Sequence, residues 1–157
     1  MGKVHTYTTT TKWTGDQGTG TSGYRAYKRD LEMTAAGKQH VIMGSSDPNY
    51  LGDASRYNPE EMLVASLAAC NMLWLLHLCS AAGIVVKEYV DESVGTLNAN
   101  ADGSGEFTEV VLRPRLVITD ASRIADAVAL ADKAHAMCFI ARSVNFPVRN
   151  ETSVTAG

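Results

Sequence analysis

An α+β fold, with helices segregated against a sheet, is what this sequence predicts. Three observations carry that reading. Thr-, Tyr- and Val-rich stretches open the chain, an almost wholly apolar helical segment follows Asn58, and extended stretches then flank a second, shorter helical pattern.

The bulk composition sets bounds. With 157 residues the chain has the usual size of one domain, read here as 1–157, and its 45% apolar and 20% charged content suits a packed globule. A net charge of −3 with no long Lys/Arg cluster supplies no basic field, so nucleic acid and anionic lipid are not expected partners. Residues 1–20 are Thr-rich and lack the basic and apolar regions of a secretory signal, which makes the cytoplasm the expected compartment.

In chain order, Val4 to Trp13 and Tyr24 to Met33 are expected as strands, separated by the Gly/Thr/Ser run from Gly15 to Gly23, with His40 to Met43 as a third. Ser45 to Tyr57 is polar, with Asp47-Pro48-Asn49 and Gly52-Asp53, and reads as a loop of the kind that carries function. Asn58 then caps a helix, Pro59 suits its first position, and Glu60 and Glu61 favour its positive end. The helix runs to Gly83, a good C-terminal residue, and at roughly 1.5 Å per residue it could span a bilayer. An acidic entry flank and the interior polar residues Ser66, Asn71, His77 and Ser80 argue instead for the central helix of a fold.

Beyond it, Ile84 to Leu97 and Phe107 to Ile118 are expected as two strands joined by a turn at 98–103, with an edge or bulge at Pro114. Asp120 or Ser122 caps a second helix with Ile124, Val128, Ala131 and Ala134 on one face, and Cys138 lies on or just past its end. Pro147 to Val154 closes the chain as a last strand.

Three cysteines, Cys70, Cys79 and Cys138, are too few and too odd for a disulfide-stapled secreted domain. Cys70 and His77 share a face of the long helix, whereas Cys79 points to the other side. His135 and Cys138 share a face of the second. Two such pairs fit three readings: packed helices with small residues at their seam, a redox pair, or a zinc site. Ligands seven apart on one helix are unusual for structural zinc.

The words around the cysteines add a resemblance. The run Asn58-Pro59-Glu60-Glu61-Met62-Leu63-Val64-Ala65-Ser66-Leu67-Ala68-Ala69-Cys70 resembles the helix opening of the OsmC/Ohr family, and Ala134-His135-Ala136-Met137-Cys138-Phe139-Ile140-Ala141 resembles the second-cysteine segment of its OsmC-like branch. Ser45-Ser46-Asp47-Pro48, Gly83-Ile84 and the late Pro147-Val148 fall where such a protein has them, so the resemblance covers essentially the whole chain. It implies an OsmC-like α+β fold, an antiparallel sheet packed on two main helices in an intertwined homodimer. It also implies a thiol peroxidase of oxidative stress defence, in which Cys70 reduces an organic hydroperoxide and Cys138 resolves the oxidised sulfur. No metal or cofactor is implied, and the implied reductant is an external dithiol of the lipoyl type.

By the same resemblance an arginine paired with Glu60 lowers the thiol's pKa. Arg25, Arg29 and Arg56 are the candidates, and Tyr24-x-x-Tyr27-x-Arg29 matches the family's strand pattern best. Glu60 lies ten residues before Cys70, roughly 15 Å along one helix, so it would serve through a bridging arginine or across the dimer; its simpler role is to favour the helix N-terminus. After Cys138, Phe139-Ile140-Ala141-Arg142 replaces the Pro-Val-Ser type of sequence of many family peroxidases. Met72, Leu73, Trp74, Phe139 and Ile140 would supply an apolar substrate pocket. His77 and Cys79 read as packing residues. A binding or structural protein of the same fold, without peroxide turnover, is the alternative.

Overall fold

A computed structural model describes residues 2–157. Its longest element is α1, Pro59–Ala81. Asn58 Oδ1 accepts the Glu61 N–H at 2.8 Å, and a Glu61 carboxylate oxygen accepts the Asn58 N–H at 3.1 Å. This reciprocal capping box satisfies two donors that a bare helix start would leave open. At the other end Gly83 turns left-handed (φ 70°), and the Gly83 and Ile84 N–H groups donate to the Ser80 and Cys79 carbonyls. That is a Schellman ending, which a side-chain-free residue adopts without strain.

Contacts gather the chain into two compact units, Met1–Met62 and Leu63–Gly157. In the first, β1 (Thr10–Trp13), β2 (Leu31–Thr34) and β3 (Ile42–Gly44) form an antiparallel sheet in that order. The expected strands were too long. Val4 to Thr9 joins no ladder among the described residues, and Tyr24 to Asp30 is a turn-rich segment whose Lys28 and Asp30 backbone groups bond to Trp13, Thr14 and Gly15. Arg29 donates to the Tyr24 and Tyr27 carbonyls and so takes those oxygens out of strand pairing.

The second unit holds β4 (Val86–Asp91), β5 (Val94–Ala99), β6 (Gly105–Leu112), β7 (Pro114–Ile118), α2 (Ile124–Met137), β8 (Val148–Asn150) and β9 (Ser153–Ala156). The two long strands of the expected hairpin are each broken in two, which divides the ladders between the sheets β4-β7-β9 and β5-β6-β8. The breaks face each other. Asp91 accepts the Arg113 N–H at 2.8 Å and the Ser93 hydroxyl at 2.6 Å, and Pro114 has no N–H to offer. The last strand is also two, and both pair in parallel, β8 on β6 and β9 on β7, so the sheets are mixed rather than antiparallel. Helix α2 is the crossover that lets β9 return parallel to β7.

One stripe of α1, Leu67, Asn71, Leu75 and Cys79, is fully buried at intervals of four residues. Its upper part packs with Val110 and Leu112, and its lower part with Leu116, Ile118 and the alanine face of α2 (Ala127, Ala131, Ala134). Gly95 on β5 allows the close approach, because a Cβ there would lie 2.7 Å from both Val64 and Phe107. Val128, expected on the buried face of α2, is exposed instead. Much of α1 remains uncovered: Ala65, Ser66, Ala69, Leu73 and His77 are exposed despite its apolar composition.

Candidate functional site

Cys70 follows Leu67 and precedes Asn71 on α1, beside the buried stripe, and is half-buried. Cys138 is fully buried and is the C-cap of α2, where the backbone turns extended (φ −65°, ψ 113°) after its N–H bonds the His135 carbonyl. It therefore leaves the helical register expected from its spacing to His135. The turn brings the sulfur of Cys138 near the Cys70 side chain, which disfavours the Cys138 thiolate.

Burial, and next the Cys70 side chain, push the Cys138 thiol from an ordinary 9.0 up to about 11, against the Ala141 and Ile140 N–H groups that favour its thiolate. The Ala141 N–H lies 3.4 Å from Cys138 Sγ. Cys79 is fully buried on the core stripe, and burial raises its thiol pKa. The three thiols thus have different environments: one accessible, one buried beside it, one in the apolar core.

Trp74 stands one turn beyond Cys70 on α1, with Phe139 edge-on at 5.7 Å between ring centroids and His77 edge-on at 5.9 Å. Phe139 and Leu73 are largely exposed. Apolar side chains near the accessible sulfur give that end of the site its character. Among the described residues no three His, Cys, Asp or Glu side chains converge to hold a metal ion.

The arginines and Glu60 belong to the first unit and are placed as follows. Arg29 is held by the Tyr27 and Tyr24 carbonyls at 2.7 and 2.6 Å and lies over both tyrosine rings, 4.1 and 4.6 Å from their centroids. Its guanidinium is occupied in closing its own loop. Arg25 is exposed. Arg56 reaches Asp30 at 3.6 Å and Asp53 at 3.8 Å, while its Nη1 is buried with no hydrogen-bond partner among the described residues. Glu60 Oε2 is likewise buried and unpartnered.

Two polar groupings were not anticipated from the sequence. In the first unit Ser45, fully buried, accepts the Asp53 N–H and donates to Asp30, which ties the loop before α1 to the carboxylates around Arg56. In the second, Asn71, Tyr89 and Asp91 each keep a buried polar atom unpartnered. The one signal for the latter was Asn71, a polar residue at the middle of an apolar helix.

The sequence profile of the family described as OsmC-like protein matches residues 52–153. The chain belongs to that family. An uncharacterized protein of Bacillus subtilis (strain 168), YmaD, is 31% identical over 124 residues, which cover 75% of this chain and 82% of the relative. An OsmC-like protein of unknown function from Vibrio cholerae O1 biovar eltor superposes with a TM-score of 0.84 at 29% identity, over 96% of this chain and all of the other. An organic hydroperoxide resistance protein OsmC from Legionella pneumophila shares the fold, with a TM-score of 0.67 at 20% identity over 97% and 99% of the two chains.

Proposed function

We propose that this OsmC-like protein is a cysteine-based peroxidase that reduces organic hydroperoxides. The observation that carries the reading is a half-buried Cys70 beside a fully buried Cys138 whose thiol pKa is raised. A thiolate at Cys70 attacks the terminal peroxide oxygen, the O–O bond breaks, and the alkoxide leaves as the alcohol after taking up a proton. Cys70 becomes a sulfenic acid. Cys138 then displaces water from that sulfur and forms a Cys70–Cys138 disulfide, which an external dithiol reopens while becoming a disulfide itself. The nearness of the two side chains supports this second step.

The hydroperoxide resistance name of the Legionella structure is consistent with this chemistry. The uncovered apolar and aromatic groups by Cys70 favour substrates with a hydrocarbon body. Steady-state turnover with a dithiol should therefore be more efficient on cumene hydroperoxide than on hydrogen peroxide, and equal or reversed efficiencies contradict the proposed substrate class. We assign the activating cation to Arg56 rather than Arg29, since Arg56 retains a buried unpartnered N–H group and Arg29 is spent on its own loop.

The same reading makes the functional species a homodimer, in which Glu60 and Arg56 serve the partner's cysteines. The exposed apolar positions of α1 and the exposure of every residue of β1 support it. Sedimentation should give a dimer at micromolar concentration, and a stable monomer contradicts it.

A further inference from the structure

The interior polar group beside Cys70 has no role in the proposed redox cycle. Asn71 is fully buried, and neither its amide nitrogen nor its amide oxygen has a hydrogen-bond partner among the described residues. Tyr89 and Asp91 lie two apart on β4, so their side chains leave the same face of the strand. The Tyr89 hydroxyl and the second carboxylate oxygen of Asp91 are also buried and unpartnered; the first oxygen is already taken by Ser93 and the Arg113 backbone. Asn71 approaches the Tyr89 hydroxyl closely enough to favour its ionised form, yet no hydrogen bond of ordinary geometry closes between them.

Four unpartnered polar atoms in one unit, against a core built from Leu75, Leu116 and Ile118, are costly to leave as they are. Their chemistry is complementary to one small molecule. The Asn71 amide nitrogen and the Tyr89 hydroxyl donate, whereas the Asn71 amide oxygen and the Asp91 carboxylate accept. Burial, then Asp91, raise the Tyr89 pKa, which keeps the hydroxyl a donor at neutral pH.

We propose that Asn71, Tyr89 and Asp91 form a site for an internal water that ties α1, immediately after Cys70, to β4. The water accepts from the Tyr89 hydroxyl or the Asn71 amide and donates to Asp91 and the Asn71 carbonyl. The site requires no peroxide chemistry and stands apart from the proposed activity.

A crystal structure of the full wild-type chain, at a resolution that orders solvent, tests this directly. The expected result is a water within hydrogen-bond distance of at least three of the four atoms. Direct side-chain hydrogen bonds among Asn71, Tyr89 and Asp91 with no water between them overturn it. In solution, water ¹⁷O magnetic relaxation dispersion should show a long-lived internal water in the wild-type chain that is lost in folded Tyr89→Phe. Identical dispersion in the two proteins overturns the assignment.

Discussion

Cys70, in the middle of α1, and Cys138, the residue that ends α2, are neighbours, and the Cys70 side chain adds to burial in pushing the Cys138 thiol pKa up. Sixty-eight positions of sequence separate them, and the extended turn at Cys138 closes that distance. In the proposed cycle the asymmetry of the pair assigns the roles: the more accessible sulfur meets substrate, and the buried one resolves it.

Single substitutions should separate those roles. Cys70→Ser is expected to leave no thiol reactive toward organic peroxide. Cys138→Ser should consume one equivalent quickly, give a sulfenic acid that a dimedone-type reagent traps, and then lose activity by over-oxidation. Cys79→Ser should keep turnover but lose about 1–3 kcal/mol of stability, because it puts a hydroxyl into the apolar core. Denaturant unfolding of Cys79→Ser beside its peroxide assay checks both halves.

Alkaline stability follows from the raised Cys138 thiol. The unfolded chain would release that proton near 9.0, whereas the folded chain holds it to about 11. The folded state therefore binds more protons in this window, and its stability falls as pH rises from about 9 to about 11. Below the lower limit the contribution is fully present. Cys79 and Tyr89, raised mainly by burial, act in the same direction. Urea midpoints measured across this range should decline in the wild-type chain and decline less in Cys138→Ser.

Arg56 and Arg29 make opposite predictions. Under the proposed assignment, Arg56→Gln should slow alkylation of Cys70 at neutral pH. Arg29→Gln should leave that rate nearly unchanged and cost about 1–2 kcal/mol, since it frees two carbonyls and two ring faces. Stopped-flow alkylation and thermal unfolding of both variants measure this, and the reverse pattern returns the role to Arg29.

Local chemistry explains what could be read without the structure. The cap at Asn58, the stop at Gly83 and the apolar run between them depend on neighbouring residues, so α1 was legible almost to the residue. Pro114 signalled an irregularity in the second long strand, but the break in the first was hidden, because it depends on Asp91 reaching an N–H group 22 positions away. Tyr24-x-x-Tyr27-x-Arg29 reads equally as a strand carrying an arginine or as a loop that the arginine clamps, and only the tertiary structure distinguishes them. Parallel pairing of β8 and β9 was hidden for the same reason, since hydrophobic pattern does not encode strand direction. Cys70 and Cys138 were legible as candidates from their surrounding words, whereas the Asn71–Tyr89–Asp91 group was not, because two of its members lie in an ordinary-looking strand.

The central claim is that Cys70 and Cys138 form one redox pair, and the most direct measurement is disulfide mapping. Fully reduced wild-type protein is treated with one equivalent of cumene hydroperoxide, alkylated, digested and analysed by mass spectrometry. The account predicts the loss of two free thiols per chain, a Cys70–Cys138 cross-link, and an alkylated Cys79. No loss of thiols, or a cross-link that includes Cys79 in place of Cys138, would contradict it.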